Sequence, residues 1–501
     1  MAKKKKFRMI DAILTVICVV FVAEAAAPAA VIGNQQFFWW IFLIIAYLLP
    51  YGLIVCELGT TYADDPGGIA DWVRRAFGDR WGSRVSWYYW INFPLWMASL
   101  AFLFPETISL LTGMDLGVVP SLAIELAFVW IVVLMSFTKT SDSAWILNLS
   151  AVLKVFIAVS VGGLGIYYAV TNGFASDMSP ATFLPSMDAS SLTYLSIILF
   201  NFMGFEAIAV FASDMENPSR QIPKAIIAGG LAIAAIYLFS SFGIGAAIPS
   251  TEVSLDSGIM DAVAIMAGNG SLLFILVGVI FLVTLFGNMI SWSFGVNYVA
   301  AHAAEKKNMP RVFAHFNKNG VPTGASIVNG IIASALVLIS PVMSAVGLDG
   351  FFWIFFSMNI VFLLICYMPM FPAFLKLRKV DPDTPRIFRV PGGKALMNVA
   401  AWLPVVLLVL SMIATVVPLN GSEEELSKVP MLVGVLAFAV IGEIVRVVSA
   451  RKRPVEYRGM EKDGDPEQWD RAHGYLMEEP EAEETQVAEA TEAAEAPAMS
   501  S

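Results

Sequence analysis

Charge is scarce in this chain: 14% of its 501 residues are Asp, Glu, Lys or Arg, whereas 57% are hydrophobic. A water-facing surface needs far more charge than that, so the composition excludes a soluble globular domain and selects an integral membrane protein. The net charge is -10, yet residues 451–501 hold fourteen acidic and six basic side chains and so carry -8 of it. The preceding body is nearly neutral, which leaves nucleic-acid binding without support. Only three histidines are present, His302, His315 and His473, all expected in polar loops or the tail. Neither an intramembrane histidine relay nor a histidine-built metal centre is therefore expected. The three cysteines, Cys18, Cys56 and Cys366, lie in separate apolar stretches with no pairing pattern, which argues against a disulfide framework. No Gly-x-x-x-x-Gly-Lys-Ser/Thr phosphate loop occurs, and Gly392-Gly393-Lys394 lacks its spacing. The chain is not read as an enzyme, and no cofactor is expected.

What the chain does have is long apolar segments, over residues 10–33, 37–62, 85–111, 117–137, 144–170, 192–212, 222–248, 271–301, 324–342, 350–375, 395–417 and 429–448. Each is near or above the roughly 20 residues a helix needs to cross about 30 Å of hydrocarbon, so twelve transmembrane helices are expected. Lysine and arginine check the count. Loops on one side hold Lys3 to Lys6, Arg74, Arg75, Arg80, Arg84, Lys139, Arg220, Lys306, Lys307, Arg311, Lys318, Lys376, Arg378, Lys379, Arg386 and Arg389. The other side holds only Lys428, among acids such as Asp177, Asp188, Glu252, Asp256 and Glu423. The positive-inside rule then puts both termini in the cytoplasm of a multi-pass protein of the cytoplasmic (inner) membrane. Residues 1–9 form a basic N-terminal segment and residues 10–450 the membrane domain. Residues 451–501 form an acidic tail, too poor in large apolar residues to bury a core.

Two spans carry interruptions. The first reads Phe21-Val22-Ala23-Glu24-Ala25-Ala26-Ala27-Pro28, and the sixth reads Phe200-Asn201-Phe202-Met203-Gly204-Phe205-Glu206. Each joins a mid-membrane carboxylate to a helix breaker. Backbone can loosen at membrane depth only where protein or a wet cavity receives the freed peptide groups, and an intramembrane carboxylate marks that cavity as a binding site. Corresponding interruptions in two halves of a polytopic chain point to a transporter built from inverted five-helix repeats, with substrate held between the broken helices. The repeats would cover about residues 10–171 and 190–377, with helices 11 and 12, about residues 395–450, as additions.

Asn201-Phe202-Met203-Gly204-Phe205-Glu206-Ala207, followed by Glu216-Asn217-Pro218-Ser219-Arg220 and Ile222-Pro223-Lys224-Ala225, resembles the sixth-helix signature of the amino acid/polyamine/organocation (APC) transporter superfamily. Glu57-Leu58-Gly59-Thr60 with Gly67-Gly68 and Arg75-Ala76-Phe77-Gly78 resembles its second helix and following loop. Phe294-Gly295-Val296-Asn297, Met309-Pro310-Arg311-Val312-Phe313 and Asn317-Lys318-Asn319-Gly320-Val321-Pro322 resemble its eighth helix and following loop. Arg389-Val390-Pro391-Gly392-Gly393 resembles the approach to helix eleven. The resemblance covers residues 10 to about 450. It implies a LeuT-like fold, discontinuous helices 1 and 6, and secondary transport of amino acids or related amines by exchange or with a proton. The substrate would meet Phe21, Val22, Ala23 and Glu24 of helix one, and Phe200, Asn201, Met203, Gly204 and Phe205 of helix six. The ammonium would meet carbonyls around Phe200, Asn201 and Met203, with Phe200 or Phe205 as an aromatic lid. The family commonly has a Gly-Ser-Gly-like stretch in helix one, where this chain has Phe21-Val22-Ala23. Glutamate/GABA exchangers of the superfamily share that departure, so the substrate stays open among amino acids, polyamines and glutamate/GABA.

Lys154 stands in the middle of span five, where a lysine costs roughly 2.5–3.5 kcal/mol on insertion scales. The resemblance implies a proton-coupling switch beside helix one and Ser291 or Ser293; the alternative is a structural lysine paired with Glu24 or backbone carbonyls. Glu24 has three open roles: contact with a cationic substrate, partner of Lys154, or a protonated stabiliser of the break. An ionised Glu24 in the site would repel acidic substrates. Glu206 is expected to gate and stabilise helix six, and Glu57 to pack and cap span two. Glu106, Glu125, Trp90, Trp96 and Trp292 are further bundle candidates. A non-transporting sensor of the same fold and a pH-sensitive plug at residues 457–474 remain alternatives, and the sequence sets no oligomeric state.

Overall fold

The computed structural model describes residues 20–62, 67–138, 144–187, 192–205 and 218–451. The chain divides into a compact unit over residues 1–446 and a second over 447–501, of which only the last turns of the final helix are described. Helices in order are α1 (Ala26–Val31), α2 (Gly33–Thr61), α3 (Ile69–Phe77), α4 (Asp79–Thr112), α5 (Val118–Met135), α6 (Ala144–Asn172) and α7 (Leu195–Phe200). They continue as α8 (Pro218–Ala247), α9 (Gly258–Ala267), α10 (Leu272–Glu305), α11 (Thr323–Ser344), α12 (Phe351–Val380), α13 (Lys394–Val416) and α14 (Val429–Arg451). Ten helices among the described residues are long and apolar enough to cross a bilayer. They match the second to fifth and seventh to twelfth expected spans. The first and sixth spans are described only from residue 20 and only up to residue 205.

Lipid gives helices no hydrophobic reason to associate, so close packing of small residues has to hold them. One such close crossing is between α6 and α8. A Cβ on Gly165 would lie 2.3 Å from the Gly243 Cα, and one on Gly243 would lie 2.4 Å from the Val161 carbonyl oxygen. The two backbones touch, and the same two helices carry Lys154 and Tyr237 to residues 21–22 of the first span.

At the arginine-rich end, polar clamps tie distant elements together. Glu57, 1% exposed, accepts from the Arg378 guanidinium and the Val390 N–H, with Arg386 Nε 3.3 Å away. The expected packing and capping role thus becomes a buried ion-pair network joining α2 to α12 and the segment that follows it. The short helix α3 buries Ile69, Trp72, Val73 and Ala76. Its Asp71 accepts from the Gly67 N–H and from Arg74 Nε, and meets His302 Nε2 of α10 at 3.1 Å. Burial alone would raise the Asp71 carboxyl, but His302 and Arg74 hold it below the usual carboxylate range. His302 therefore sits in the last turn of α10 rather than in a loop. At the other end Lys428, the basic residue expected there, is neutralised by Glu425 at 2.6 Å. It also donates to Thr193 Oγ1 and the Ala414 carbonyl.

Candidate functional site

Pro28 has no N–H to return to the Glu24 carbonyl, and its ring crowds that carbonyl. Upstream the chain leaves helical geometry: Val22 is extended (φ -126°, ψ 125°), and Ala23–Ala25 make one 3-10 turn before α1. The released peptide groups are buried, so each must find a partner inside the protein. Lys154 Nζ of α6 donates to the Phe21 carbonyl at 2.8 Å. The Tyr237 hydroxyl of α8 accepts from the Val22 N–H and donates to the Val22 carbonyl, both at 2.9 Å. Its ring is fixed by stacking on Trp40 and by an edge contact with Phe21.

Glu24 is 2% exposed. Its Oε1 accepts from Asn288 Nδ2 of α10 at 2.8 Å, and Asn288 Oδ1 accepts from Lys154 Nζ at 2.9 Å. One continuous chain thus runs from the Phe21 carbonyl through Lys154 and Asn288 to the Glu24 carboxylate. The Trp96 indole of α4 stands against the same carboxylate.

In the sixth span α7 stops at Phe200. Residues 201–205 are non-helical apart from a single 3-10 position, and Gly204 adopts φ +98°, a conformation open to glycine alone without strain. Its N–H donates to the Tyr367 hydroxyl of α12 at 3.1 Å. Phe200 packs edge-on against Trp96 (5.4 Å) and Phe356 (5.5 Å), and Trp96 packs against Trp292 (5.3 Å). Phe205 lies elsewhere, against Tyr51 of α2. Of the two lid candidates, Phe200 is the one in the aromatic cluster around Trp96 and hence near Glu24.

Buried asparagines complete the surroundings. Asn201 and Asn359 are 0% exposed, and neither amide oxygen nor nitrogen has a hydrogen-bond partner among the described residues. Phe356 faces Phe200 and Tyr367 meets Gly204, so α12 runs alongside the sixth span. Asn359 lies one turn beyond Phe356 on α12. Asn92 lies one turn from Trp96 on α4. It donates to the Tyr89 carbonyl, while its Oδ1 is unmet among the described residues. Buried amides left without partners are costly, and Asn201 lies within the non-helical stretch of the sixth span itself.

The chain matches the family described as amino acid permease over residues 7–441. It belongs to that family. The permease is 51% identical, over 88% of its length and 95% of the relative's, to a probable agmatine/putrescine antiporter of Lactococcus lactis subsp. lactis. It is 24% identical to a glutamate/gamma-aminobutyrate antiporter of the same organism, over 80% of this chain and 82% of that one. Its fold is that of MhsT, a LeuT-fold transporter solved with L-phenylalanine, with a TM-score of 0.54 and 16% identity over 83% of this chain and 100% of the other. The permease is thus an all-helical membrane transporter of the LeuT fold and not an enzyme.

The break residues Phe21, Val22, Ala23 and Glu24, with Lys154, gather into one buried cluster of the permease. Phe200 lies beside it through Trp96, and Asn201, Met203 and Gly204 follow in the interrupted sixth span. Glu206 and residues 457–474 lie outside the described residues. A partner of Lys154 from span eight is Asn288, whereas the Ser293 hydroxyl donates to the Ile290 carbonyl. Glu125 is buried with Oε2 unmet among the described residues, and Glu106 lies beside Ser257, within electrostatic reach of Asp256 and Asp261. Tyr237, Asn288 and Asn359 escaped the sequence reading. Each is a polar residue in a long apolar window, a signal that marks it as a candidate without naming its partner.

Proposed function

We propose that the permease is a secondary transporter that exchanges small amine cations of the agmatine and putrescine class across the cytoplasmic membrane by alternating access. The observation that carries this reading is the chemistry at the first break. The Val22 amide, which could have received a substrate carboxylate, is closed by Tyr237, and a buried carboxylate, Glu24, stands two residues on. Such a site suits an ammonium or guanidinium group that brings no carboxylate with it, and it disfavours glutamate. The aromatic faces of Trp96, Phe200 and Trp292 add cation–π attraction, worth about 2 kcal/mol or more where water is excluded. The unpartnered amides of Asn201 and Asn359 offer acceptors for a second cationic end. The similarity to the probable agmatine/putrescine antiporter supports the same substrate class.

In this reading the twelve spans, both termini cytoplasmic, carry discontinuous helices one and six. Lys154 is the proton-responsive group, because its Nζ holds the break carbonyl of Phe21 and is coupled to Glu24. Glu206 gates the path beyond the sixth-helix break. Counterflow into proteoliposomes tests the proposal: internal putrescine should accelerate uptake of labelled agmatine, while internal glutamate or GABA should not. Binding of agmatine without flux would make the protein a sensor, and acceleration by glutamate would overturn the substrate assignment.

A further inference from the structure

We propose that Asn288 is the coupling residue of this site, a positioning group through which the charge on Lys154 and the occupancy of Glu24 act on each other. The inference rests on the amine-exchange reading for its ligand and on two hydrogen bonds for its geometry. Asn288 Oδ1 accepts from Lys154 Nζ at 2.9 Å, and Asn288 Nδ2 donates to Glu24 Oε1 at 2.8 Å. The amide has one workable orientation. Turned over, it would aim its N–H groups at an ammonium and its oxygen at a carboxylate, losing both bonds and adding two repulsions. All three side chains are almost wholly buried, at 2% for Lys154, 0% for Asn288 and 2% for Glu24. In surroundings that dry, electrostatic interactions are strong and are passed on by polarised hydrogen bonds.

The direction of the coupling follows. With the site empty, Lys154 and Glu24 balance each other through the amide. A cationic substrate at Glu24 takes over that balance and leaves a second positive charge in the same buried volume. Repulsion then favours loss of the Lys154 proton, and the neutral amine can still donate one hydrogen bond to Asn288. Glu24, from the first span, and the Tyr237 hydroxyl of α8 are the titratable groups facing this cluster among the described residues. Tyr237 is committed to Val22 at both its donor and acceptor functions, so the proton leaves from Lys154. Binding thus releases a proton, and by linkage amine affinity rises with pH, by up to about tenfold per pH unit where one proton is fully displaced.

The test is equilibrium binding of labelled agmatine and of putrescine to the purified full-length protein, from about pH 6 to about pH 9. Wild-type, Asn288→Leu, Lys154→Ala and the double variant are compared. Wild-type affinity should rise with pH. Asn288→Leu should still bind but with a flattened pH profile, Lys154→Ala should flatten likewise, and the double variant should be no flatter than either single. Asn288→Ser, whose short hydroxyl cannot span both partners, should reproduce the flattening if the leucine variant does not fold. A uniform loss of affinity with the wild-type slope retained in both Asn288 variants would reduce Asn288 to a packing role and overturn the proposal, as would pH-independent binding by the wild-type protein. Failure of the wild-type protein to bind either amine at any pH would instead remove the substrate assignment. The same four proteins, titrated with GABA and L-glutamate, would then decide the coupling on slopes alone.

Discussion

Removing one oxygen atom should change which substrates the permease accepts. Tyr237→Phe keeps the ring and its contacts with Trp40 and Phe21 but deletes the hydroxyl that occupies the Val22 N–H and carbonyl, both at 2.9 Å. Each buried group left unmet costs about 1–3 kcal/mol, so the variant loses roughly 2–6 kcal/mol of stability if both stay dry. The same change uncovers an amide donor at the break. A carboxylate-bearing analogue such as arginine, which is agmatine with its carboxylate retained, can now satisfy that donor, whereas agmatine cannot. The gain from meeting one buried N–H is about 1–3 kcal/mol, which corresponds to a shift of roughly five- to 150-fold in the ratio of arginine to agmatine affinity. Competition of both compounds against labelled putrescine, in wild-type and Tyr237→Phe proteoliposomes, measures that ratio directly. A well-folded variant with an unchanged ratio would refute the argument that Tyr237 closes the carboxylate position.

Glu24→Gln should weaken putrescine binding by about 2–5 kcal/mol, because a buried charge partner is lost. Competition by neutral amino acids should fall far less, and equal losses for both would assign Glu24 a purely structural role. Glu57→Gln leaves Arg378 and Arg386 without their carboxylate and should cost about 3–5 kcal/mol, read as a lower melting temperature in detergent; an unchanged one would show the network to be dispensable. Burial pushes Asp256 up to about 6, so its neutral form is favoured in the folded protein. Its contribution is whole below the unfolded value near 4 and is lost as pH rises through about 6. Asp256→Asn should therefore be the more stable protein by about 1–3 kcal/mol at pH 7 and above, and no different at about pH 4. A gain of the same size at both pH values would rule out titration of Asp256 as its cause.

The non-helical stretches at residues 21–22 and 201–204 were legible in the sequence because their causes are local. Pro28 disrupts the turn that begins at Glu24, Gly204 supplies the φ value that ends the sixth-span segment, and Glu24 and Lys154 stand out as charges in apolar windows. Their partners were not legible because those answers come from far along the chain. Tyr237 is 215 residues from Val22, and Asn288 is 264 from Glu24 and 134 from Lys154. Only the folded bundle sets which face of α10 meets the break. Ser291 and Ser293, at nearly the same depth as Asn288, were for that reason the expected partners. Glu57 repeats the lesson: its position near the end of α2 suggested a cap, and its arginines stand more than 300 residues later, with Arg378 separated by 321.

The contact between Gly165 and Gly243 has a mechanical consequence. With backbone against backbone and no side chain to yield, α6 and α8 form a welded strut, and that strut carries both Lys154 and Tyr237. The peptide groups at the first break are thus gripped by a frame whose two members cannot slide apart without losing their fit.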